Sequence, residues 1–552
     1  MDDRDPDRTR SLPAAAGLAL VVLVSTLVTL PEYGITSDEP VIHYGGEWQL
    51  WAMSSDHPDR WKFKQPAPAE LKAITHFNTH PDGNGHYVFP GFPAVFCAAV
   101  ARVARLIPGY NVIDSVHAGI ALLHALAVFG LAVYLARLLG LRRALFIASL
   151  YALFPSAVGH SHYNVKDWPM TGFYGLTLVS FAVGVVEDRA RYFLHSGLWL
   201  GLGIASKANP IFTLPTLLLW LPIAWLLLYR GGRLPSRRAV LAACLLPGIA
   251  LITLWLAWPY LRAGTMSEQW SKFSEMVGFI VGRGESKRAT FSSYPFLLLL
   301  IMTPPIELLG LALAALAPFR SSKREAAIVA LGWIWLAVPL VRISLPHSNY
   351  YDANRHFLEY IPALALLAGL GLDWGAGRLA GWAGDRWAAM KEWRIREASL
   401  VCALGLALWP VIQYHPFETT YYNLLVGGLG GAQRLEISTR HYCQDMEFWC
   451  PDSEGDYWGF SYRRAVRDLG ELADPGASFY PCGNLIGPLT RWQELRPDIR
   501  LTGRDQADWI LVVPRRPFCS ENDMRFVREQ TESVKEERRD GGLVYGLYRR
   551  KK

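Results

Sequence analysis

Long apolar runs cut by short basic connections dominate the pattern of this chain. Residues 14–31, 114–137, 144–159, 168–186, 192–207, 209–228, 239–258, 293–318, 325–343, 357–373 and 398–412 form eleven such runs. Hydrocarbon offers a backbone amide no partner, so runs of this length are predicted as membrane-spanning helices. Their connections fall into two sets. One carries Arg137, Arg142 and Arg143; Arg189 and Arg191; Arg230, Arg233, Arg237 and Arg238; Arg320, Lys323 and Arg324; and Arg378, Arg386, Lys391, Arg394 and Arg396. Basic residues in short loops mark the cytoplasmic side, which puts the start of the chain in the cytoplasm. The remaining connections then face out, with everything after about residue 413. The outer connection 259–290 carries Arg262, Lys272, Arg283, Lys287 and Arg288 against this rule, whereas five loops obey it. Residues 88–107 are apolar enough to span, but a span there would reverse every later loop. They are expected along the outer interface.

The first run follows Arg4, Arg8 and Arg10, and no Ala-x-Ala site comes after it, so a retained anchor is expected rather than a cleaved signal. In the first outer connection, 32–113, the stretch P-V-I-H-Y-G-G-E-W-Q-L-W sets Val41, Tyr44, Trp48 and Trp51 near one helix face. That suits an interfacial helix with its aromatics among the headgroups. After residue 413 the pattern changes. A helix in S-Y-R-R-A-V-R-D-L-G-E-L and strands in W-I-L-V-V and G-L-V-Y-G-L-Y predict a small α/β unit. The fold class expected is an α-helical polytopic membrane protein over 1–412, with about eleven transmembrane helices, followed by an extracytoplasmic α/β domain over 413–552.

Composition agrees with this, at 51% hydrophobic and 19% charged residues. The formal charge of +7 lies largely in the basic loops and reads as topology, so no nucleic-acid partner is expected. Of the seven cysteines, Cys97, Cys244 and Cys402 lie in apolar runs. Cys443, Cys450, Cys482 and Cys519 lie in the outer unit, where two disulfides are permitted; proximity alone favours Cys443 with Cys450 and Cys482 with Cys519. No Cys-x-x-Cys occurs.

Candidate chemistry comes from ionisable residues placed outside near the membrane. In I-T-S-D-E-P, Ser37, Asp38, Glu39 and Pro40 fit a helix start, with the acids at the positive helix end. Capping and chemistry are both open to Asp38. Lys166 and Asp167, in S-H-Y-N-V-K-D-W-P-M, open a span, where Asp favours the helix start, Lys snorkels and Trp168 joins the aromatic belt; a role in a site is the other reading. In S-N-Y-Y-D-A-N-R-H-F-L-E-Y-I-P, Arg355 and His356 begin a helix beside Tyr350, Tyr351, Asp352 and Asn354. A guanidinium fork matches phosphate oxygens, so this stretch implies an anionic partner, whether lipid headgroup or substrate. His76, His80 and His86 in H-F-N-T-H-P-D-G-N-G-H suggest metal ligands, but Pro81 and the D-G-N-G turn interrupt any shared helix face. A divalent metal stays open, and no cofactor is certain. Glu307, in T-P-P-I-E, is the one acid well inside a span.

Four stretches carry a resemblance: D-E-P at 38–40; K-D-W-P at 166–169; Y-D-A-N-R-H-F-L-E-Y-I-P-A-L-A-L-L-A-G at 351–369; and H-P-F-E-T-T-Y-Y-N-L-L-V-G-G-L-G-G-A at 415–432 followed by D-Y-W-G-F-S-Y-R-R-A at 456–465. With these the chain resembles the GT-C type membrane glycosyltransferases that use polyprenyl-phosphate sugars, the group of the protein O-mannosyltransferases and the lipid A aminoarabinose transferase, and above all their bacterial members. The resemblance implies a GT-C fold in the bacterial inner membrane and an inverting transfer of a sugar from a polyprenyl-phosphate donor to a hydroxyl of a protein, lipid or glycan acceptor outside. It implies Asp38 as general base, its pKa raised by burial beside Glu39, with Glu39 and Asp167 orienting the base or the acceptor. Lys166, Arg355 and His356 would hold the donor phosphate, and His80, Tyr351 and Asp352 would contact substrate. The family's Asp-Gly reads Asp352-Ala353 here, and its His-Pro-Pro reads His80-Pro81-Asp82. The stretch between Glu436 and Asp456, with Cys443 and Cys450, has no counterpart. A transporter of lipid-linked glycans or lipids, with Glu307 and the Pro304-Pro305 break at mid-membrane, is the competing reading, and a non-catalytic envelope scaffold the third.

Overall fold

The computed structural model describes residues 6–57, 60–61, 68–75, 91–229, 234–282, 288–317, 322–348, 351–386, 391–438, 454–482, 494–515 and 519–551. Helix α1 (Pro6–Thr29) is followed by α2 (Glu39–Ser54), α3 (Ala69–Thr75) and α4 (Phe92–Ala104). The body continues through α5 (Val112–Leu139), α6 (Leu141–Leu153), α7 (Pro155–Tyr163), α8 (Asp167–Glu187), α9 (Ala190–Ile204), α10 (Thr213–Leu228) and α11 (Arg237–Ala257). After α12 (Pro259–Arg262) and α13 (Met266–Gly282) come α14 (Tyr294–Met302), α15 (Pro305–Leu316), α16 (Lys323–Ser344), α17 (Ile361–Arg386) and α18 (Glu392–Tyr414). Among the described residues eight helices are long and apolar enough to cross a membrane, or ten if each bent pair is one span.

Proline accounts for both bent pairs. The runs 144–159 and 293–318, each expected as one span, turn by 66° before Pro155 and by 115° at Pro304-Pro305. Pro155 holds Phe154 extended and has no amide to continue the ladder of α6. At the second break Asn423 closes the accounts: its Nδ2 donates to the carbonyls of Leu300 and Thr303 at 2.7 and 2.8 Å, and its backbone N–H to Ile301 at 2.8 Å. These carbonyls would otherwise lack partners within the bilayer. The run 192–207 becomes a helix of 15 residues, α9, packed against α8 and α11.

Helices α8 and α17 form the centre. Their apolar windows are 94% buried, against 11% for the first helix, so the latter faces lipid. Small residues let α15 and α17 touch backbone to backbone: a Cβ on Gly310 would meet the Ala368 carbonyl at 2.5 Å. The basic ends gather away from α8's first turn. Arg137 pairs with Glu187 at 2.6 Å at the far end of α8, and Asp373 holds Arg142, Arg143 and Arg396 at 2.6 to 2.8 Å.

At 13 residues α4 is too short to span, and it lies on α2, where Gly46 allows the Ala94 carbonyl within 2.3 Å of a would-be Cβ. Tyr44 and Trp48 do not reach the headgroups. They are buried with Ile35, Leu71 and Ile113, because α3 and the start of α5 supply a protein surface where lipid was expected. The C-terminal part holds α19 (Gly428–Leu435), α20 (Tyr462–Leu472), β1 (Ser478–Pro481), β2 (Arg500–Leu501), β3 (Trp509–Val512), α21 (Glu521–Gln530), β4 (Thr531–Arg539) and β5 (Gly542–Arg550). The strand order is β2-β1-β3-β5-β4, with β1 parallel to both neighbours and β5 antiparallel to both of its own. Asp540 and Gly541, both at positive φ, make the two-residue turn between β4 and β5. The Tyr414 hydroxyl donates to Asp540 at 2.6 Å, which docks that turn on the end of α18.

Candidate active site

One buried guanidinium collects most of the candidate residues. Arg355 contacts Asp38 at 2.9 Å, Asp352 at 2.8 Å and Asp167 at 3.2 Å. Lys166 reaches Asp38 at 3.6 Å, Lys207 reaches Asp167 at 2.7 Å, and Arg515 reaches Asp352 at 2.7 Å. Four cations thus face three carboxylates, and the cluster keeps one positive charge in excess. Its open side is defined by exposure. Asp38, Lys207 and Lys166 side chains are 24, 19 and 16% exposed, whereas those of Arg355, Asp352, Arg515 and Asp167 are at most 5%.

Local structure aims each group. Asp38 precedes α2, but its side chain makes no capping bond, so its carboxylate is left for the cations. Glu39 turns elsewhere: it accepts from Thr36 N–H at 3.2 Å and contacts His117 Nε2 at 2.6 Å. The Asn164 side chain accepts from the backbone N–H groups of Lys166 and Asp167 at 3.2 and 2.8 Å, an Asx turn that sets the start of α8. Asp352 and Ala353 both have left-handed backbones, at φ 59° and 54°, and this reversal returns the Asp352 carboxylate onto Arg355. The conformation costs an alanine about 1 kcal/mol, which the ion pairs offset. Tyr351 stands edge-on to His356 with ring centroids 4.3 Å apart. The His356 Nε2 is buried with no hydrogen-bond partner among the described residues, and its carbonyl accepts from Arg342 at 3.0 Å and Asn209 at 3.3 Å.

Electrostatics departs from the expectation for Asp38. Burial pushes its carboxyl up, but Arg355 and then Lys166 outweigh burial and hold it below its ordinary value. Glu39, expected to raise it, faces His117 instead. Burial depresses Lys166, and Asp38 and Asp167 more than restore it, leaving it above its ordinary value; for Lys207 burial wins over Asp167 and the amine lies lower. Burial also lifts Asp352, yet each of its oxygens accepts a guanidinium N–H, the pattern of an ionised carboxylate.

The C-terminal part enters the site directly. Asp456 accepts from the backbone N–H groups of Trp458, Gly459 and Ser461 at 2.6 to 2.9 Å, and the loop so fixed lays the Trp458 ring on Arg355, 4.0 Å from guanidinium carbon to centroid. Ser37 N–H donates to the Trp458 carbonyl at 2.9 Å, tying D-E-P to D-Y-W-G-F. The sequence reading passed over Lys207, Trp458 and Arg515. Lys207 lies at the polar end of an apolar run, a signal that was available; Arg515, in P-R-R-P-F-C, had none. His80 lies outside the described residues, as do His76 and His86. Among the described residues no group of three or more His, Cys, Asp or Glu side chains is placed to hold a metal ion.

Over part of the chain a family model agrees with the resemblance. Residues 93–258 match the family model described as dolichyl-phosphate-mannose-protein mannosyltransferase, a segment containing Lys166, Asp167 and Lys207. The fold is similar to the crystal structure of ArnT from Cupriavidus metallidurans bound to undecaprenyl phosphate, with 15% identity over 96% of this chain and 97% of that one, TM-score 0.44. The apo state of the same protein gives 16% identity over 96% and 97%, TM-score 0.45. The archaeal oligosaccharyltransferase AglB from Archaeoglobus fulgidus, in complex with an inhibitory peptide and a dolichol-phosphate, gives 12% identity over 90% of this chain and 65% of that one, TM-score 0.42. No curated protein matches the sequence.

Asp352→Asn and Arg515→Met are each expected to cost about 3 kcal/mol of folding stability, since each leaves a buried charge short of a partner. The double variant should cost less than the two losses together. Unfolding in detergent, followed by circular dichroism, reads this coupling; strictly additive losses would separate Arg515 from Asp352.

Proposed function

We propose that the protein is an inverting glycosyltransferase that moves a sugar from a polyprenyl-phosphate donor to an acceptor hydroxyl at the outer face of the membrane. The observation that carries this reading is the buried Arg355 cluster with one positive charge in excess. A polyprenyl-phosphate sugar is a phosphodiester with a single negative charge, and the apolar helices below accommodate its tail. Lys166, Lys207, Arg355 and His356 hold the phosphate; Asp167 and Asp352 keep Lys207 and Arg355 in place. Tyr351 contacts substrate, and Glu39 fixes the turn that carries Asp38.

The acceptor oxygen attacks the anomeric carbon from the face opposite the phosphate. Its proton passes to Asp38, and the bond between the anomeric carbon and phosphate oxygen breaks with its electron pair on phosphate. The leaving polyprenyl phosphate thereby gains one negative charge. Asp38, on taking the proton, stops neutralising one cation, so the positive excess rises as the phosphate needs it. Donors fixed in a dry site make this stabilisation effective. The site and residues 413–552 lie outside, and the chain's start and the Asp373 cluster lie in the cytoplasm; the basic loops support this orientation.

Asp38→Asn is expected to lower kcat by about 10²–10⁴-fold with folding intact. Sugar transfer from purified donors, read by mass spectrometry, measures it, and full activity would remove the assigned base. Asp38 must be ionised to act, so activity is lost as pH falls through its pKa. In the free protein that value is depressed by Arg355 and Lys166, so the acid limb of kcat/KM lies below the ordinary aspartate range. Bound phosphate draws Arg355 and Lys166 away and lets burial act, so the limb of kcat should lie at higher pH. Rates against pH at limiting and saturating donor decide; coincident limbs would mean that phosphate and Asp38 do not share cations. For orientation, Arg191→Cys and His347→Cys are introduced separately into a chain with Cys244, Cys402, Cys443 and Cys450 replaced by Ala. Only His347→Cys should react with an impermeant maleimide from outside, and the reverse would invert the topology.

A further inference from the structure

The turn that delivers Arg515 to the site ends on a cysteine whose thiol meets another. Cys519 N–H donates to the Arg515 carbonyl at 2.9 Å, so the backbones of the two residues are tied together between β3 and α21. Cys519 is buried in an apolar cluster with Cys482, Ala507, Ile510, Val512 and Val527, where both are free thiols, and the neighbouring Cys519 thiol together with burial holds the Cys482 thiol above its ordinary value. Cys482 is itself fixed. It directly follows β1, its N–H donates to the Leu511 carbonyl of β3 at 2.9 Å, and its carbonyl accepts from the Tyr462 hydroxyl of α20. One thiol therefore belongs to the rigid sheet and the other to the turn that holds Asp352.

The geometry points to Cys482 and Cys519 as a disulfide pair that fastens the Arg515 turn to the sheet and so holds Asp352 and Arg355 in register for the donor phosphate. The pair is positioning, since neither sulfur touches the Arg355 cluster. Formation needs an oxidant, and a disulfide-donating protein of the outer compartment is the class that supplies one. One cysteine, as thiolate, attacks the donor disulfide and forms a mixed disulfide with release of one donor thiol. The second then attacks this bond, the new S–S bond forms, and the donor leaves as a dithiol. Two electrons and two protons pass to the donor. The bond itself requires only the outer placement of residues 413–552, whereas its effect on donor binding rests on the proposed transferase reading.

The test starts from full-length protein extracted in detergent after alkylation of free thiols, digested without reductant. The expected result is a Cys482 peptide joined to a Cys519 peptide and separated by dithiothreitol. Recovery of both cysteines alkylated, or joined to Cys443 or Cys450 instead, overturns the pairing. Cys482→Ser, Cys519→Ser and the double variant should each raise the donor KM by about threefold to tenfold, equally in all three, with kcat within about twofold of the parent. Reduction of the parent should give the same KM. Unequal or additive effects, or an unchanged KM, would show that the bond does not act through Arg515. A cross-linked protein that transfers no sugar would sink the transferase reading and leave the bond; an active protein with free thiols would do the opposite.

Discussion

The candidate site is arranged around the cost of burying Arg355. A guanidinium carries five N–H donors and cannot shed its charge, so taking it out of water is tolerable only if carboxylates meet it on several edges. Here three do: one from the turn before α2, one from the first residue of α8 and one from the left-handed turn at Asp352. These segments are more than a hundred residues apart in the chain, and the need to converge fixes their relative placement. The indole of Trp458 covers one face of the cation, so the C-terminal part is also drawn in. It completes the site instead of standing apart as a separate module.

The same constraint explains why so many accessory contacts lie close by. Arg463 is buried and bridges Asp114 at 2.6 Å, Glu494 at 2.6 Å and the Tyr33 carbonyl at 3.0 Å, joining α20 to the membrane end of α5 and to the chain just before D-E-P. Glu359 receives Asn209 at 2.7 Å and Arg342 at 3.0 Å, bracing the segment that carries Arg355 from two other elements. Each bridge restrains a backbone segment to which a charged group of the site is attached. A site prepared in this way need not reorganise when charge shifts within it.

The helices were legible because hydrocarbon enforces one solution, and the apolar runs state it directly. Their bends at Pro155 and Pro304-Pro305 were less so, since run length alone does not say whether a neighbour such as Asn423 will satisfy the freed carbonyls. Asp38, Lys166, Asp167, Asp352 and Arg355 were legible as ionisable residues on one side of the membrane. Lys207 could have joined them on the same grounds. Arg515 and Trp458 could not, because their roles arise from contacts across the whole length of the chain. In the sheet, β3 and β5 showed apolar patterns, whereas β4 did not: T-E-S-V-K-E-E-R-R is an edge strand whose charges stay in water and guard against pairing with another chain. Tyr44 and Trp48 had the spacing of an interfacial stripe, and only the presence of α3 converts that stripe into core.

The location of the buried charges also separates catalysis from transport. A transporter that alternates its access keeps its polar groups at mid-membrane on helices free to rearrange. The break at Pro304-Pro305 has the sequence of such a helix, but Asn423 locks its carbonyls, and Gly310 on α15 sits against the backbone of α17. The Glu307 carboxylate is buried, and neither of its oxygens has a hydrogen-bond partner among the described residues. The Arg355 cluster lies instead where α8 and α17 begin, with Asp38, Lys166 and Lys207 on its open side. A phosphate there keeps its hydrocarbon tail in the bilayer and its sugar in reach of water. That division of one ligand between two solvents suits a reaction at the rim, and nothing in it calls for passage through the core.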